Sequence, residues 1–431
     1  MLFVALAGTQ TDGHQFAADA CRRGAAAVVV SRDAPGVPPD AAVIRVEDTR
    51  RALQRFGRAL RDRQPARVVG ITGSVGKTST KELAAAVAGR SFRTARSPQN
   101  WNTEIGIPLV LANLPRDTEV AIVELAMRGP GQIRELVEIS RPDIGVVTNV
   151  GESHLDFFES REALAHAKGE LIEGLAREAT AILNADDPLV LAMRGRGPAR
   201  VVTFGLGGGD VTADDIRAVP GGGRVFRLRT PAGSGEVSLG QLGRHAVINA
   251  LAAAAIGWAL GVPVGEIVDG LGSVAPLPMR LAVRRIDGIT LLDDAYNSSP
   301  QSVEAAFDAM DELAGTPRIA VLGDMRELGA GSADAHRRVG RLAAARGLDL
   351  LIACGPLAEE LARSAREAGG VRVVHAADPD EALGLLRPEL RAGAVVLVKG
   401  SRAMEMERIV AGLDAGAGAP SERSDRGLAW T

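Results

Sequence analysis

The 431-residue chain has few cysteines, few aromatic residues and little net charge. Its two cysteines, Cys21 and Cys354, stand far apart without metal-site spacing, which excludes a disulfide framework and predicts a reducing, cytoplasmic compartment. A formal net charge of −3 argues against nucleic-acid binding, which needs a basic surplus. The longest apolar stretch, residues 246–262, is alanine-rich and interrupted by Asn249 and two glycines, which predicts a buried helix and no membrane insertion.

Lysine is unusually scarce. The 50 basic residues comprise 46 arginines and four lysines, at positions 77, 81, 168 and 399. Where arginine has replaced lysine almost everywhere, we expect the surviving lysines to be enriched at positions that need a compact, deprotonatable amine. For Lys81 we favour the explanation that a lysine has remained at this position by chance.

Length and hydrophobic pattern predict an α/β protein of three domains, at about 150 residues per domain. Residues 1–64 predict a small α/β domain that begins inside its first strand, so we expect its start to be truncated and some acceptor contacts to be missing. Residues 65–277 alternate apolar strands with helices, which indicates a parallel sheet covered on both faces. Residues 278–413 repeat the alternation, which predicts a doubly wound, Rossmann-like domain. Residues 414–431 predict a disordered tail.

A glycine turn between a predicted strand and a predicted helix indicates a phosphate-binding loop. Its glycines let backbone N–H groups approach phosphate oxygens, Lys77 reaches the terminal phosphates, and the Thr78 hydroxyl can bind Mg²⁺. Ile71 stands where the usual motif has its first glycine, so this loop is shorter. The residues expected to bind the nucleotide here are Thr72, Gly73, Ser74, Val75, Gly76, Lys77, Thr78 and Ser79.

Further segments extend this pattern along nearly the whole chain: LFVALAGTQTDGHQF, TGSVGKTST, SPQNWNTEIGIPL, VELAMRGPGQI, TNVGESHLDFF, AHAKGE, NADDP, GRHAVINALAA, LLDDAYNSSP, VLGDMRELG and VKGSRAMEME. In this order they resemble the Mur ligases, the ATP-dependent amide ligases of peptidoglycan assembly. The resemblance implies a central ATP-binding domain, ATP and Mg²⁺ as cofactors, and a monomer. It is strongest to the branch that joins D-alanyl-D-alanine to UDP-N-acetylmuramoyl-tripeptide through an acyl phosphate, which makes residues 1–64 the UDP-substrate domain.

The resemblance also implies a catalytic and metal-binding set. Glu124 and His154 follow two predicted strands whose ends share the sheet edge of the phosphate loop. Lys168 lies in a predicted helix, and in Mur ligases the matching lysine is carbamylated by CO₂, which makes it an anionic ligand of a second Mg²⁺. The implied catalytic residues are Lys77, Glu124, His154 and Lys168, and the implied metal ligands are Thr78, Glu124, His154 and the Lys168 carbamate.

Nucleotide and substrate contacts follow from the same resemblance. Beyond the phosphate loop, the residues expected to contact ATP are Asn249, Arg280, Asp294, Tyr296 and Asn297. Those expected for the substrates are Asp12 and His14 for the uridine nucleotide, Asn100, Asn102 and Thr103 for the muramoyl acceptor, and Lys399 and Ser401 for the dipeptide or for domain closure. Ala246 stands where the family usually has asparagine, so the contact beside Asn249 differs here.

Three alternatives remain open. One is the sister ligase that adds the third amino acid, and another is a folylpolyglutamate synthetase, which shares the central domain. The third is a non-catalytic nucleotide-binding scaffold. DDAYNSSP and LGDMRELG favour the D-alanyl-D-alanine branch, and the set of Lys77, Thr78, Glu124, His154 and Lys168 argues against a scaffold.

Overall fold

The computed structural model describes residues 1–8, 11–98, 100–151, 155–219 and 222–416. Within these residues the chain forms two six-stranded and two three-stranded sheets. None of the helices in these ranges is long and apolar enough to cross a bilayer. Cys21 and Cys354 are both free thiols.

The N-terminal part forms a small parallel sheet in the order β1-β2-β3. Its elements are β1 (Leu2–Val4), α1 (Ala17–Arg22), β2 (Ala27–Val30), β3 (Ala42–Arg45) and α2 (Thr49–Arg63). Helix α2 packs on the following domain, because Gln54 Nε2 donates to Glu135 Oε1 at 2.8 Å and Arg61 Nε donates to the Ser140 carbonyl at 2.9 Å. The predicted domain border after residue 64 therefore lies between α2 and the central-domain residues that α2 contacts.

The central part is built on a six-stranded parallel sheet in the order β5-β6-β4-β7-β8-β9. Its strands are β4 (Arg67–Thr72), β5 (Thr94–Arg96), β6 (Val120–Glu124), β7 (Ile144–Val147), β8 (Thr180–Asn184) and β9 (Arg200–Phe204). Its helices are α3 (Lys77–Ala88), α4 (Gly106–Ala112), α5 (Gln132–Ser140), α6 (Arg161–Glu173), α7 (Pro188–Leu191), α8 (Arg244–Leu260) and α9 (Val264–Gly272). An antiparallel sheet of β10 (Thr212–Ala218), β11 (Arg224–Thr230) and β12 (Gly233–Leu239) precedes α8.

Two hydrophobic clusters cover the two faces of the central sheet, one with α3 and α8 and the other with α4, α5 and α6. Because both faces are buried, the inner strands β4, β6 and β7 are apolar along most of their length. Helix α8 is the alanine-rich segment, and it is buried in the first of these clusters.

The C-terminal part has a second six-stranded sheet in the order β13-β14-β18-β15-β16-β17. Its strands are β13 (Ala282–Ile286), β14 (Ile289–Asp294), β15 (Arg318–Gly323), β16 (Leu350–Cys354), β17 (Arg372–Ala376) and β18 (Val395–Lys399). Its helices are α10 (Pro300–Asp311), α11 (Ser332–Ala344), α12 (Ala358–Ala368), α13 (Pro379–Leu386) and α14 (Glu407–Gly416). Only the edge strand β13 pairs antiparallel among these strands. The predicted α/β class is confirmed.

One correction concerns the predicted tail from Asp414. Helix α14 continues to Gly416, and Asp414 Oδ2 accepts a hydrogen bond from Arg284 at 2.7 Å. Residues 414–416 are therefore helical, and the ion pair of Asp414 with Arg284 joins the last turn of α14 to β13. Residues 417–431 lie outside the described residues.

Candidate active site

The turn between β4 and α3 is a tight loop that depends on two glycines. Gly73 has φ +151° and Gly76 has φ +83°. A Cβ at Gly73 would lie 1.9 Å from Thr148 Oγ1, and a Cβ at Gly76 would lie 2.3 Å from Asn249 Oδ1. Both positions thus require glycine, and the loop directs the N-terminus of α3 into open space.

That space is a cavity of about 510 Å³ between the central and C-terminal domains. The sequence-predicted residues that line it are Ser74, Val75, Gly76, Lys77, Thr78, Ser79, Glu124, Asn249, Arg280, Asp294, Tyr296, Asn297 and Lys399. Thr72 and Gly73 lie behind this lining, and Thr72 is fully buried. The structure therefore brings nearly all of the predicted nucleotide contacts to one place.

Thr78 and Glu124 form the acidic side of the cavity. Thr78 Oγ1 donates to Glu124 Oε2 at 2.9 Å, and Asn102 Nδ2 donates to Glu124 Oε1 at 3.0 Å. The described residues hold no group of three or more histidine, cysteine or acidic side chains placed so that together they could bind a metal ion. Mg²⁺ typically takes only one or two protein oxygens and completes its shell with phosphate and water, so Thr78 and Glu124 fit this ion. His154 lies outside the described residues.

The Lys77 amine is folded back over its own loop. Its Nζ donates to the carbonyl of Gly73 at 2.8 Å and to that of Ser74 at 3.3 Å. Burial lowers the pKa of Lys77, the Glu124 carboxylate opposes this shift, and the Arg280 guanidinium adds to it. A terminal phosphate in the cavity would restore the stability of the charged amine.

Lys168 lies on α6 with 1% of its surface exposed. Burial holds the pKa of its amine well below the ordinary value of 10.5, and the positive charge of Lys77 lowers this pKa further. Its amine has no hydrogen bond or ion pair with any described residue. A buried amine in its neutral form is a nucleophile, which is the state that reaction with CO₂ requires.

Arg280 connects the C-terminal domain to the phosphate loop. Its guanidinium donates to Thr78 Oγ1 at 3.1 Å and lies 4.1 Å from the centroid of the Tyr296 ring. The flanking residues Met279 and Leu281 have φ values of +60° and +52°. Such strain costs about 1–3 kcal/mol per residue and persists only where the surroundings enforce it. The surrounding contacts therefore enforce the backbone on both sides of Arg280, whose guanidinium reaches Thr78.

The Lys399 amine is bound by other groups of the protein. Its Nζ lies 2.5 Å from Asp294 Oδ2 and donates to the Asn297 carbonyl at 2.8 Å. Burial raises the pKa of Asp294, and the Lys399 charge opposes that shift. Because these groups occupy the amine, the contacts argue against a direct role in dipeptide binding, and all of them lie within the C-terminal domain.

Several predicted substrate residues lie away from the cavity. Asp12 accepts from the His14 backbone N–H at 3.1 Å and lies 2.7 Å from His14 Nδ1, which caps a short turn of the N-terminal domain. Thr103 Oγ1 accepts from the Gly106 N–H at 3.3 Å, while Asn100 is exposed. Ser401 Oγ accepts from the Arg326 N–H at 2.8 Å.

Sequence reasoning missed two residues that support the site. Lys81 Nζ donates to the Ser97 carbonyl at 2.8 Å, and Ser97 Oγ accepts from the Glu124 N–H at 3.3 Å. Asn149 clamps the loop, because its side chain makes two 2.9 Å hydrogen bonds to the backbone of Val75. The scarcity of lysine was the signal for Lys81, and chance survival does not explain its burial.

Comparison with known families gives three matches that together span most of the chain. The Mur ligase family, catalytic domain, matches residues 1–61. The Mur ligase middle domain matches residues 71–257, and the Mur ligase, glutamate ligase domain, matches residues 279–402.

Individual relatives agree with these matches. The UDP-N-acetylmuramoyl-tripeptide–D-alanyl-D-alanine ligase of Bacillus subtilis is 35% identical over 95% of this chain and 89% of its own length. The structure of MurF from Acinetobacter baumannii is 31% identical, with a TM-score of 0.88 over 96% of this chain and 90% of that one. The MurF ligase of Thermotoga maritima in complex with ADP is 30% identical, with a TM-score of 0.85 over 96% of this chain and 94% of that one. The chain therefore belongs to the Mur ligase family.

Proposed function

We propose that this chain uses ATP to join D-alanyl-D-alanine to UDP-N-acetylmuramoyl-tripeptide in peptidoglycan precursor synthesis. One observation carries the proposal: Lys77, Thr78 and Glu124 face Arg280 of the other domain across a single cavity. The relative from Bacillus subtilis, which is named for this reaction, supports the choice of substrates. The ADP complex of the Thermotoga maritima ligase supports ATP as the phosphoryl donor.

In the first step the acceptor carboxylate attacks the γ-phosphorus of ATP. An O–P bond forms to give an acyl phosphate, and the bond to the β-phosphate oxygen breaks to release ADP. Lys77 and Arg280 offset the negative charge on the phosphoryl group, while the α3 N-terminus holds the remaining phosphates. Thr78 and Glu124 would hold Mg²⁺, which when bound neutralises phosphate charge.

In the second step the neutral amine of the dipeptide attacks the acyl carbon. A C–N bond forms, phosphate leaves with its oxygen, and the amine loses a proton. The chain needs no side-chain nucleophile, so its contribution is positioning and the exclusion of water that would hydrolyse the acyl phosphate. Arg280, held on Thr78 at 3.1 Å, keeps the C-terminal domain close to the loop.

Lys168, in its carbamate form, has a proposed role as a ligand of a second Mg²⁺. Its neutral amine adds to CO₂ with formation of an N–C bond and loss of one proton, which converts the amine into an anionic oxygen ligand. The support is an amine that is buried and whose pKa burial holds well below its ordinary value, with no described partner that would compete for it. His154 stays in the proposed metal set on the family resemblance alone.

The acceptor side is proposed from the other predicted residues. Residues 1–64 are the proposed UDP-substrate domain, with Asp12 and His14 shaping its loop by their mutual contact. Asn102 contacts Glu124 and so extends from the metal side of the cavity toward the muramoyl acceptor. We also propose that the protein acts as a monomer.

Phosphate release tests the proposed function. Purified protein with ATP and Mg²⁺ should release phosphate only when UDP-N-acetylmuramoyl-tripeptide and D-alanyl-D-alanine are both present. Equal turnover of a free amino acid with a dipeptide acceptor would identify the sister ligase instead. ADP binding without turnover of any muramoyl or folyl acceptor would identify the non-catalytic scaffold.

A further inference from the structure

The loop between β15 and α11 contacts the central domain without involving the phosphate loop. In this loop, here called the junction segment (residues 324–331), Glu327 Oε1 lies 3.9 Å from a guanidinium nitrogen of Arg128. A Cβ added at Gly329 would lie 2.9 Å from Asp156 Oδ1 and 3.2 Å from the Asp156 Cα, so the two backbones pack closely there. The two domains therefore meet at the junction segment as well as at the phosphate loop.

This contact lies on the metal side of the central sheet. Arg128 comes four residues after Glu124 at the end of β6, and Asp156 comes nine residues after Val147 at the end of β7. Strands β6 and β7 flank β4 and run parallel to it, so all three end at the sheet edge that carries the phosphate loop. The junction segment therefore meets the central domain at the edge from which Glu124 faces the cleft.

The backbone of the junction segment needs support from its surroundings. Glu327 has a φ of +61° and Gly329 a φ of +60°, and in this region a residue with a side chain is strained. Such strain persists only where neighbouring groups enforce it. Part of the support comes from Met325 and Leu328, which are buried in a hydrophobic cluster of the C-terminal domain. Another part comes from the Arg326 N–H, which donates to the Ser401 hydroxyl as described above.

His336 supports the segment from within α11. Its side chain is fully buried, Nε2 lies 3.0 Å from the backbone nitrogen of Met325, and Nδ1 lies 2.8 Å from the Ser332 carbonyl oxygen. An N–H only donates and a carbonyl oxygen only accepts, so these partners require a neutral ring with its proton on Nδ1. Burial lowers the pKa of His336, and the hydrogen bond to Ser332 opposes this shift. The ring thereby fixes the passage from the junction segment into α11.

We propose that His336 is a positioning residue for the contact between the two domains, because its neutral imidazole holds the junction segment in the shape that meets Arg128 and Asp156. His336 does not line the cavity, so it acts only through the junction segment. What it controls is the seating of the C-terminal domain on the metal side of the central sheet. The inference does not rest on the proposed function, since it takes no substrate or nucleotide as given.

Hydrogen–deuterium exchange of the ligand-free protein, followed by mass spectrometry, tests this role. His336→Asn keeps a donor near the place of Nδ1 but loses the acceptor for the Met325 N–H, so exchange in the junction segment should rise about tenfold. Exchange should also rise across the domain border, in residues 156–158. His336→Gln keeps an acceptor near the place of Nε2 and gives up the bond to Ser332, so both segments should exchange as in the parent.

Thr290→Val is the matched control for a general loss of stability. The buried Thr290 hydroxyl accepts from Arg285 at 2.9 Å, at the start of β14 and thus at the opposite end of this sheet from the junction segment. This variant should lower the Tm without raising exchange in residues 156–158. Faster exchange confined to the junction segment in His336→Asn, or equal effects of the asparagine and glutamine variants, would overturn the inference.

Two measurements on the parent do not depend on how a variant folds. ¹⁵N spectra of the histidine-labelled protein at neutral pH should show His336 neutral and protonated on Nδ1, and a charged ring or the other tautomer would overturn the inference. Free exchange of residues 156–158 in the parent would also overturn it, because the contact would then not form in solution. If these results hold but the parent releases no phosphate with any acceptor, the proposed function alone fails.

Discussion

Two buried amines of this chain, Lys168 on α6 and Lys399 at the end of β18, have the same exposure of 1% but opposite surroundings. The Lys399 amine contacts the Asp294 carboxylate and the Asn297 carbonyl. The Lys168 amine has no such partner among the described residues, and its pKa is held well below the ordinary value by burial and by Lys77. Burial alone therefore does not decide what a lysine does. The partner decides, because a nearby carboxylate stabilises the charged form of a buried amine and burial without one disfavours it.

The largest expected effect is on ligation when Lys168 is replaced. Lys168→Arg puts a permanent cation beside the proposed metal site, and Lys168→Ala removes a ligand, so each should lower kcat at least about 100-fold in the phosphate-release assay. A small carboxylate added to the alanine variant should restore part of the rate. It should not help the arginine variant, because the guanidinium fills the space and keeps its charge.

Two observations would sharpen this prediction. Density in a crystal grown with bicarbonate should show three additional atoms on the Lys168 amine. If Lys168→Arg instead ligates at nearly the parental rate, Lys168 has no role in metal binding. Lys168 and Lys399 would then differ only in how their side chains are packed.

The next effect is on stability when Lys399 loses its charge. Lys399→Met leaves the Asp294 carboxylate buried without its partner, which should lower the free energy of unfolding by about 3–5 kcal/mol in urea denaturation. The double variant Lys399→Met with Asp294→Asn should recover most of this loss. A single variant as stable as the parent would show that the pair contributes nothing.

The loss of stability in Lys399→Met should depend on pH in a definite direction. Burial already raises the pKa of Asp294 and Lys399 opposes the rise, so the variant should raise this pKa further above its ordinary value of 3.8. The folded variant then binds more protons than the unfolded chain between 3.8 and the raised pKa, so stability falls as pH rises through that window. The defect should be full at neutral pH and shrink as pH falls toward 3.8.

A smaller loss is expected at Lys81, a third buried lysine with 1% exposure. Lys81→Met removes the donor to the Ser97 carbonyl and should lower the free energy of unfolding by about 1–3 kcal/mol. Since Ser97 accepts from the Glu124 N–H, the Mg²⁺ concentration for half-maximal phosphate release should also rise. A stability loss with an unchanged Mg²⁺ requirement would restrict Lys81 to a purely structural role.

The smallest expected effect is a gain in stability and not a loss. Lys168→Met replaces a buried amine that has no partner among the described residues with an apolar group and should stabilise the ligand-free protein by about 1 kcal/mol in bicarbonate-free buffer. Because the folded pKa lies below 10.5, the unfolded chain binds more protons and the parent gains stability as pH rises toward that value. The advantage of methionine should fade over the same range. A Lys168→Met protein less stable than the parent at every pH would contradict an unpaired amine.

Much of the fold and part of the site follow from local sequence. The continuous apolar runs at 68–72, 119–125 and 144–150 predict β4, β6 and β7 within one residue, except at the end of β7, where the strand stops three residues earlier. The glycines at 73 and 76 predict the loop, since each has a φ that other residues rarely adopt. The edge strands β5 and β13 were not predicted, because short edge segments lack the continuous apolarity of central strands.

The sequence by itself determined the order of the elements, the phosphate loop and the four positions where lysine survives. Apolar periodicity and glycine conformation act over a few residues, so they can be read along the chain. Only the tertiary structure decided that Lys399 meets Asp294 while Lys168 meets no described partner, and that Arg280 reaches Thr78. These pairs join residues 105 and 202 positions apart, and the charge of a buried group depends on whichever neighbours packing brings within reach.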